Sequence, residues 1–415
     1  MPWISFFSKS TGTIAPQPLN QGLNGQISGS YYDIITLKVH PSRVLTALVI
    51  TSKGSVMRIR EATAEDRAAW NTFVDTEGGD FIHYYDWKQT YETRGDQFIP
   101  LLAENAKSEL IGILPIVKEK RFLSSILHSD IKTGGFLLKS DLSEMERCEA
   151  ISAFLEYVEA YYSKGCSRFT LKENLPSAGK LSEEPTTILT DNGFRFRYDA
   201  LTHLPCTFIL ELKQPFEENI WKGLWSHNLR KKLNKAGRKG VVTIQDPELG
   251  YTDIFIDMVN ENYKRHRSIP PTRDEIKVTL NTFRDKVKLF ITLLDNKPIM
   301  TFLSYYHAST CFLAEIGSYS KDIEDMNILC YMTAIEDACN AGYRFVDFSY
   351  TATSGLAFFK GQFKGTRVPF RIYEKRYSVP RTLIELGPVV IKKAWQDKTY
   401  IWKKRQILWD RIVHW

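Results

Sequence analysis

Cys148 to Asn174 reads "CEAISAFLEYVEAYYSKGCSRFTLKEN", and Leu329 to Thr351 reads "LCYMTAIEDACNAGYRFVDFSYT". Each stretch runs an amphipathic helix into a glycine, Gly165 or Gly342, and then into a strand carrying Arg-Phe. Glycine suits the left-handed position that ends a helix. A β-hairpin precedes each helix. The first is "FIPLLAENAKSELIGILPIVKEK" (Phe98–Lys120); the second is "LFITLLDNKPIMTFLSYYHA" (Leu289–Ala308), turning at Asp295-Asn296-Lys297. Hairpin, strand, helix, glycine, strand, read twice, predicts two similar α/β domains, each a mixed sheet flanked by helices. The helix joins two parallel strands, and ligands bind beyond the carboxyl ends of such strands. In the second copy those ends are "LAEIGSYS" and "VDFSYT", which singles out Glu315, Tyr319, Asp347, Ser349 and Tyr350.

At roughly 150 residues per domain, 415 residues suit two or three domains. Residues 1–56 are rich in Gly, Asn, Gln, Ser and Pro with weak periodicity, and read as a loose extension. At Met57 the pattern changes abruptly. A short strand leads to Thr63, an N-cap with Asp66 three residues later, and then to a helix with Trp70, Phe73 and Val74 on one face. The native start therefore reads as either Met1 or Met57. The boundaries predicted are 1–56 for the extension, 57–203 and 204–380 for the two domains, and 381–415 for a C-terminal helix.

The net charge of +7 is concentrated. Residues 230–239 hold six Lys or Arg and no acid, and the tail 389–415 holds seven against two Asp, leaving the remainder slightly acidic. Such blocks point to local recognition of phosphates, nucleic acid or acidic lipid. On a helix the block leaves Trp225, Leu229, Leu233 and Ala236 on the opposite face, so one face docks. A solvated face is the competing reading, but no acids are interleaved to form i,i+4 pairs. In the tail, Trp395, Trp402 and Trp409 lie seven apart among basic residues, which suits either peripheral membrane contact or docking onto the body.

The six cysteines are scattered without C-x-x-C, and no H-x-x-x-H occurs, so no metal site is expected. No apolar run approaches the ~18 residues of a membrane span, and the chain reads as cytoplasmic, with the tail at the inner membrane face if it binds lipid. No G-x-S-x-G or P-loop occurs, so hydrolase and NTPase readings lack support.

Four segments in order resemble the FemAB-like aminoacyltransferases, in the branch linked to exopolysaccharide and envelope assembly. They are "FIHYYDWKQTYE" around Trp87, "IGILPIVKEKRFLSSILHSDIKTGGFL" (Ile111–Leu137), "TFILEL…IWKGLWSHNLRKKLNKAGRKGVVTI" (Thr207–Ile244) and "GLAFFKGQFKG" around Lys360. The resemblance spans about Met57 to Tyr377. It implies two tandem GNAT-like domains and transfer of an acyl or aminoacyl group to an amine of a cell-envelope or polysaccharide precursor. The co-substrate is aminoacyl-tRNA or acyl-CoA, with no bound cofactor; the partners are a phosphate-bearing or lipid-linked acceptor and tRNA. The loop "SKDIEDMN" lacks glycine and carries acids, which weighs against an acyl-CoA pyrophosphate there. The alternatives are an acyl-CoA-dependent GNAT N-acetyltransferase, or a non-catalytic twin-domain protein binding nucleic acid or an anionic glycan.

The resemblance gives Arg230 and Lys231 to a phosphate, Trp87 to the substrate, and Lys360 to the acceptor's acid group or the developing oxyanion. Asp347 and Tyr350 are candidates for taking the amine's proton, with Glu315 and Tyr319 on the neighbouring strand as alternatives. For Asp347 the competing reading is an ion pair with Arg344.

Overall fold

The computed structural model describes residues 34–37, 46–50, 56–121, 124–129, 134–172, 187–196, 205–266, 268–319 and 324–378. The tail 389–415 and its membrane contact lie outside them, as do most of 1–56 and positions 320–323.

In the first half the strands are β1 (Ile34–Leu37), β2 (Thr46–Ile50), β3 (Val56–Glu61), β4 (Gln97–Glu104), β5 (Leu110–Lys120), β6 (Ser125–Ser129), β7 (Leu137–Leu138), β8 (Cys166–Lys172) and β9 (Arg195–Phe196). Its helices are α1 (Arg67–Thr76), α2 (Trp87–Thr93), α3 (Glu144–Tyr162) and α4 (Thr187–Asp191). The second half adds β10 (Cys206–Glu211), β11 (Val242–Asp246), β12 (Val287–Leu294), β13 (Lys297–His307), β14 (Thr310–Ser318), β15 (Phe345–Asp347), β16 (Thr366–Pro369) and β17 (Ile372–Arg376). Its helices are α5 (His227–Arg238), α6 (Thr252–Arg265), α7 (Arg273–Thr282), α8 (Glu324–Asn340) and α9 (Ser354–Gly361).

The repeated pattern folds as read. Gly165 and Gly342 follow α3 and α8 with φ of 80° and 84°. Asp295 and Asn296 turn the second hairpin, both at positive φ, as a two-residue primed turn requires. Thr63 and Asp66 form the capping box, and Trp70, Phe73 and Val74 are buried. Two mixed α/β sheets result. The parallel pairs are β6 with β8 and β14 with β15; the other pairings are antiparallel.

The chain does not divide between the sheets at a single point. The first sheet runs β1-β2-β3-β4-β5-β6-β8-β17-β9, and the second runs β11-β12-β13-β14-β15-β10-β16. Strand β17, from the end of the second half, lies between β8 and β9; Tyr373 is fully buried there among first-half residues such as Phe169 and Phe194. Residues 372–376 thus belong to the first sheet. Within 1–56, β1 and β2 extend the same sheet by antiparallel pairing onto β3.

The halves share a core. Trp70, Phe81, Tyr84 and Tyr85 of the first pack with Phe255, Leu280, Phe283, Leu303 and Tyr305 of the second. Phe81 stacks on Tyr305 at 4.3 Å between ring centroids and meets Phe283 edge-on at 4.7 Å. Polar ties flank this contact. Thr90 Oγ1 and Thr279 Oγ1 are 2.9 Å apart, and Tyr84 OH lies 2.9 Å from His307 Nδ1. The α6 and α7 face of the second sheet therefore looks onto the first half.

Candidate functional site

Strands β14 and β15 pair only over Thr310–Phe312 and Phe345–Asp347. Beyond Phe312, β14 continues to Ser318 without its parallel neighbour, so the strands splay. These are the strand ends beyond which a ligand is expected to bind.

Glu315 sits on the splayed segment because of a bulge. Leu303 pairs with Glu315, but Ser304 pairs with Leu313, leaving Ala314 extra. A bulge re-aims side chains. Leu313 joins the core on the α8 side, whereas Glu315 turns with Leu303 to the α6 side, facing the first half. There it accepts a hydrogen bond from Tyr263 OH at 3.2 Å. Burial pushes its carboxyl up to about 7, the tyrosine bond opposing the shift. A carboxyl of that strength suits proton transfer at neutral pH.

Lys360 and Asp347 meet around the loop that follows β15. Lys360, 4 % exposed, donates to the carbonyls of Phe348, Ser349 (3.1 Å) and Tyr350 (3.0 Å). An ammonium has three donors, and these bonds use all three. A contact with an oxyanion would need one of these bonds to give way; in this geometry Lys360 holds the loop, with its charge behind it. Burial brings its ammonium down to about 8, opposed by the nearby Asp347. Asp347 Oδ1 accepts from Thr207 Oγ1 and from the Ser349 N–H at 2.7 Å, and the loop bends through Ser349 at φ 57°. Arg344 instead pairs with Glu211 at 3.7 Å. The two carboxylates are alike in their bonds: each takes one side-chain hydroxyl, from Tyr263 or Thr207, and one backbone N–H, from Ile316 or Ser349. Tyr350 is 44 % exposed and lies parallel to Phe370 at 6.2 Å.

The basic helix docks as its pattern demands: Leu229, Leu233 and Ala236 are buried under α5, with Trp225 beside them. Its charges divide. Arg230 Nη1 donates to the carbonyls of Trp221 and Lys222 at 3.2 Å each, so this nitrogen caps the preceding turn. On the flank facing α9, a cavity of about 600 Å³ is lined by Ser226, Lys231, Lys232, Lys235, Phe358, Gln362 and Lys364 among others, with no acid in its wall. Lys232 Nζ donates to Gln362 Oε1 at 3.0 Å, tying the basic helix to the helix of Lys360.

Trp87 lies elsewhere. Its indole N–H donates to the Phe81 carbonyl at 3.2 Å, and its ring packs 4.9 Å from that of Phe283. It packs where the two halves meet. Tyr319, 52 % exposed, ends the described part of the β14 segment.

Sequence reasoning missed what the first half contributes. Lys172, at the end of β8, is 6 % exposed; it pairs with Asp80 at 3.0 Å and lies 5.0 Å from the centre of the Phe370 ring. The charges of Asp80 and Lys172 both act on Asp347, so this pair borders the second-half site. His83 is fully buried beside it, accepting from the Asp80 N–H at 2.9 Å, and burial drives its imidazole down to about 4. The strand-end rule applied to the first repeat, "RFTLK", would have found Lys172. Gly135 has φ 81°, and a Cβ there would fall 2.0 Å from the Lys172 carbonyl, so this glycine serves close packing against β8.

Among the described residues, no cluster of His, Cys, Asp or Glu could hold a metal, and no helix is long and apolar enough to cross a membrane.

Residues 226–360 match the acetyltransferase (GNAT) domain family, a span running from the cap of the basic helix to Lys360. The structure is similar to that of FemX, with a TM-score of 0.60 at 12% identity, over 79% of this chain and 99% of that one. It is also similar to a tandem GNAT protein from the clavulanic acid biosynthesis pathway (TM-score 0.51, 10% identity, 78% and 99%). A third similar structure is L-PGS from Bacillus licheniformis (TM-score 0.50, 13% identity, 78% and 96%). At such identities the likeness is one of fold: two GNAT-like units in tandem. No curated protein matches the chain.

Proposed function

We propose that this protein is an N-acyltransferase that passes an acyl or aminoacyl group from an activated donor to an amine on an anionic acceptor. The observation that carries the reading is Glu315. It is a desolvated carboxyl, aimed by a bulge to the face between the halves, on a strand splayed from its parallel neighbour within a GNAT domain.

The acceptor amine attacks the acyl carbonyl, and a C–N bond forms. Glu315 takes the proton the nitrogen sheds, directly or through one water. The tetrahedral intermediate collapses, and the donor's thiolate or ribose oxygen leaves, taking up a proton. Lys360 and Asp347 hold the Phe348–Tyr350 loop against the opening, and the buried lysine charge favours negative charge developing in front of it. Lys231, Lys232, Lys235 and Lys364 offer four cations in an acid-free wall for phosphates of the acceptor, a cell-envelope or polysaccharide precursor in this reading. The domain match supports acyl-CoA as the donor; aminoacyl-tRNA remains the donor implied by the sequence resemblance.

The test is consumption of donor. Labelled acetyl-CoA and labelled aminoacyl-tRNA are incubated separately with the protein and a set of phosphate-bearing amines. Transfer from one donor, lost in Glu315→Gln, is the expected result. Consumption of neither, or transfer indifferent to that substitution, overturns the reading.

A further inference from the structure

We propose that Tyr263 is a positioning residue for Glu315, and that its hydroxyl fixes both the direction of the carboxylate and the proton it holds when the amine arrives. The inference rests on the acyl-transfer reading and deepens it.

Past Phe312 the strand β14 has lost β15 as a neighbour. The last turns of α6 supply support instead. Tyr263 OH donates to Glu315 Oε2 at 3.2 Å, Asn262 Nδ2 to the Ile316 carbonyl at 3.0 Å, and Arg265 Nη2 to Ser318 Oγ at 2.7 Å. Three side chains from one end of one helix thus grip positions 315, 316 and 318 of a strand whose remaining backbone partner there is β13. Two of the grips fix backbone or strand-end position. The third falls on the carboxylate itself.

The groups facing Glu315 make that third bond decisive. Tyr263 comes from α6 and Tyr305 from β13, and the Ile316 N–H is a further donor to the carboxylate. Both side chains are phenols, and no cation is among the groups that act on the carboxylate. Burial favours the neutral acid, and no cation opposes it. The Tyr263 hydroxyl is the side-chain donor that favours the charged, proton-accepting form. Its loss leaves the carboxyl with the Ile316 N–H as its remaining donor and held protonated further into the neutral range.

The experiment is a titration of Glu315 itself, read as the ¹³C-carboxyl difference signal between the full-length protein and Glu315→Gln. In Tyr263→Phe the titration moves to higher pH by roughly one unit, and the acid limb of kcat/KM moves with it while KM at high pH holds. Replacing Tyr263 with 3,5-difluorotyrosine, a stronger donor of nearly the same shape, moves the titration the other way, so a folding defect cannot mimic the effect. An unmoved titration in both variants overturns the positioning role, whatever the activity. A titration that moves while Glu315→Gln keeps full turnover retains the Tyr263–Glu315 coupling and overturns the acyl-transfer reading instead.

Discussion

Lys360 and Asp347 grip one loop from its two polarities: the lysine ammonium donates to the carbonyls of Phe348, Ser349 and Tyr350, and the aspartate accepts the Ser349 N–H. This fixes a left-handed residue, Ser349, just past the end of a three-residue strand. Lysine is needed because three carbonyls converge on one buried point, and only an ammonium brings three donors there.

Lys360→Met therefore tests whether the lysine holds the loop or does chemistry. Three carbonyls lose their donor, and the substitution should cost roughly 3 kcal/mol of stability, read as a lowered thermal midpoint together with lost transfer. A variant as stable as the parent that loses only turnover would return Lys360 to a direct role at the oxyanion.

The Glu315 carboxyl gives stability a defined pH dependence. Its folded value, about 7, lies above its ordinary value of 4.5. The folded chain thus holds this proton more tightly than the unfolded chain. The contribution is complete below the ordinary value and is lost as pH rises through 7. Denaturant midpoints measured from pH 4 to 8 should fall less steeply in Glu315→Gln than in the parent; identical slopes contradict the burial of this group. Transfer by the same variant should drop by roughly a hundredfold or more.

Because β17 closes the first sheet, Tyr373→Ala should damage the half to which it does not belong in chain order. The expected cost is about 3 to 5 kcal/mol, as for other buried aromatic truncations. Hydrogen exchange should quicken in β8, Cys166–Lys172, before it does in β10. The reverse order contradicts the strand exchange.

Phe81 stands at the centre of the contact between the halves, 2 % exposed. Phe81→Ala should cost a similar amount, about 3 to 5 kcal/mol, and should split a single unfolding transition into two. Loss of stability with the transition still single would show that the halves are coupled elsewhere.

The lysine-lined cavity makes a binding prediction independent of chemistry. Inorganic pyrophosphate should bind the parent more tightly than a Lys231→Glu, Lys364→Glu double variant, by roughly tenfold or more at low salt, with the difference shrinking as salt rises. Equal affinities by calorimetry would remove the cavity from the acceptor path.

Local signals in the chain were enough for the elements. The glycines after α3 and α8, the Asp295-Asn296 turn, the Thr63 cap and the apolar stripe under α5 each act within a few residues, and such effects are written in the order of residue types. The duplicated order and the strand ends followed from them, and with those the neighbourhood of Glu315 and Asp347. Tertiary structure decided everything that depends on which groups meet across the fold. It turned one nitrogen of Arg230 to carbonyls of the preceding turn and placed Trp87 between the halves. It filled all three Lys360 donors, passed β17 to the other sheet, and brought Lys172 and Asp80 beside Asp347. The physical reason is that a charged or aromatic side chain declares only what it can bond to. Its partner is set by long-range packing, by the extra residue at Ala314 and by strand exchange, none of which leaves a periodic mark in the sequence.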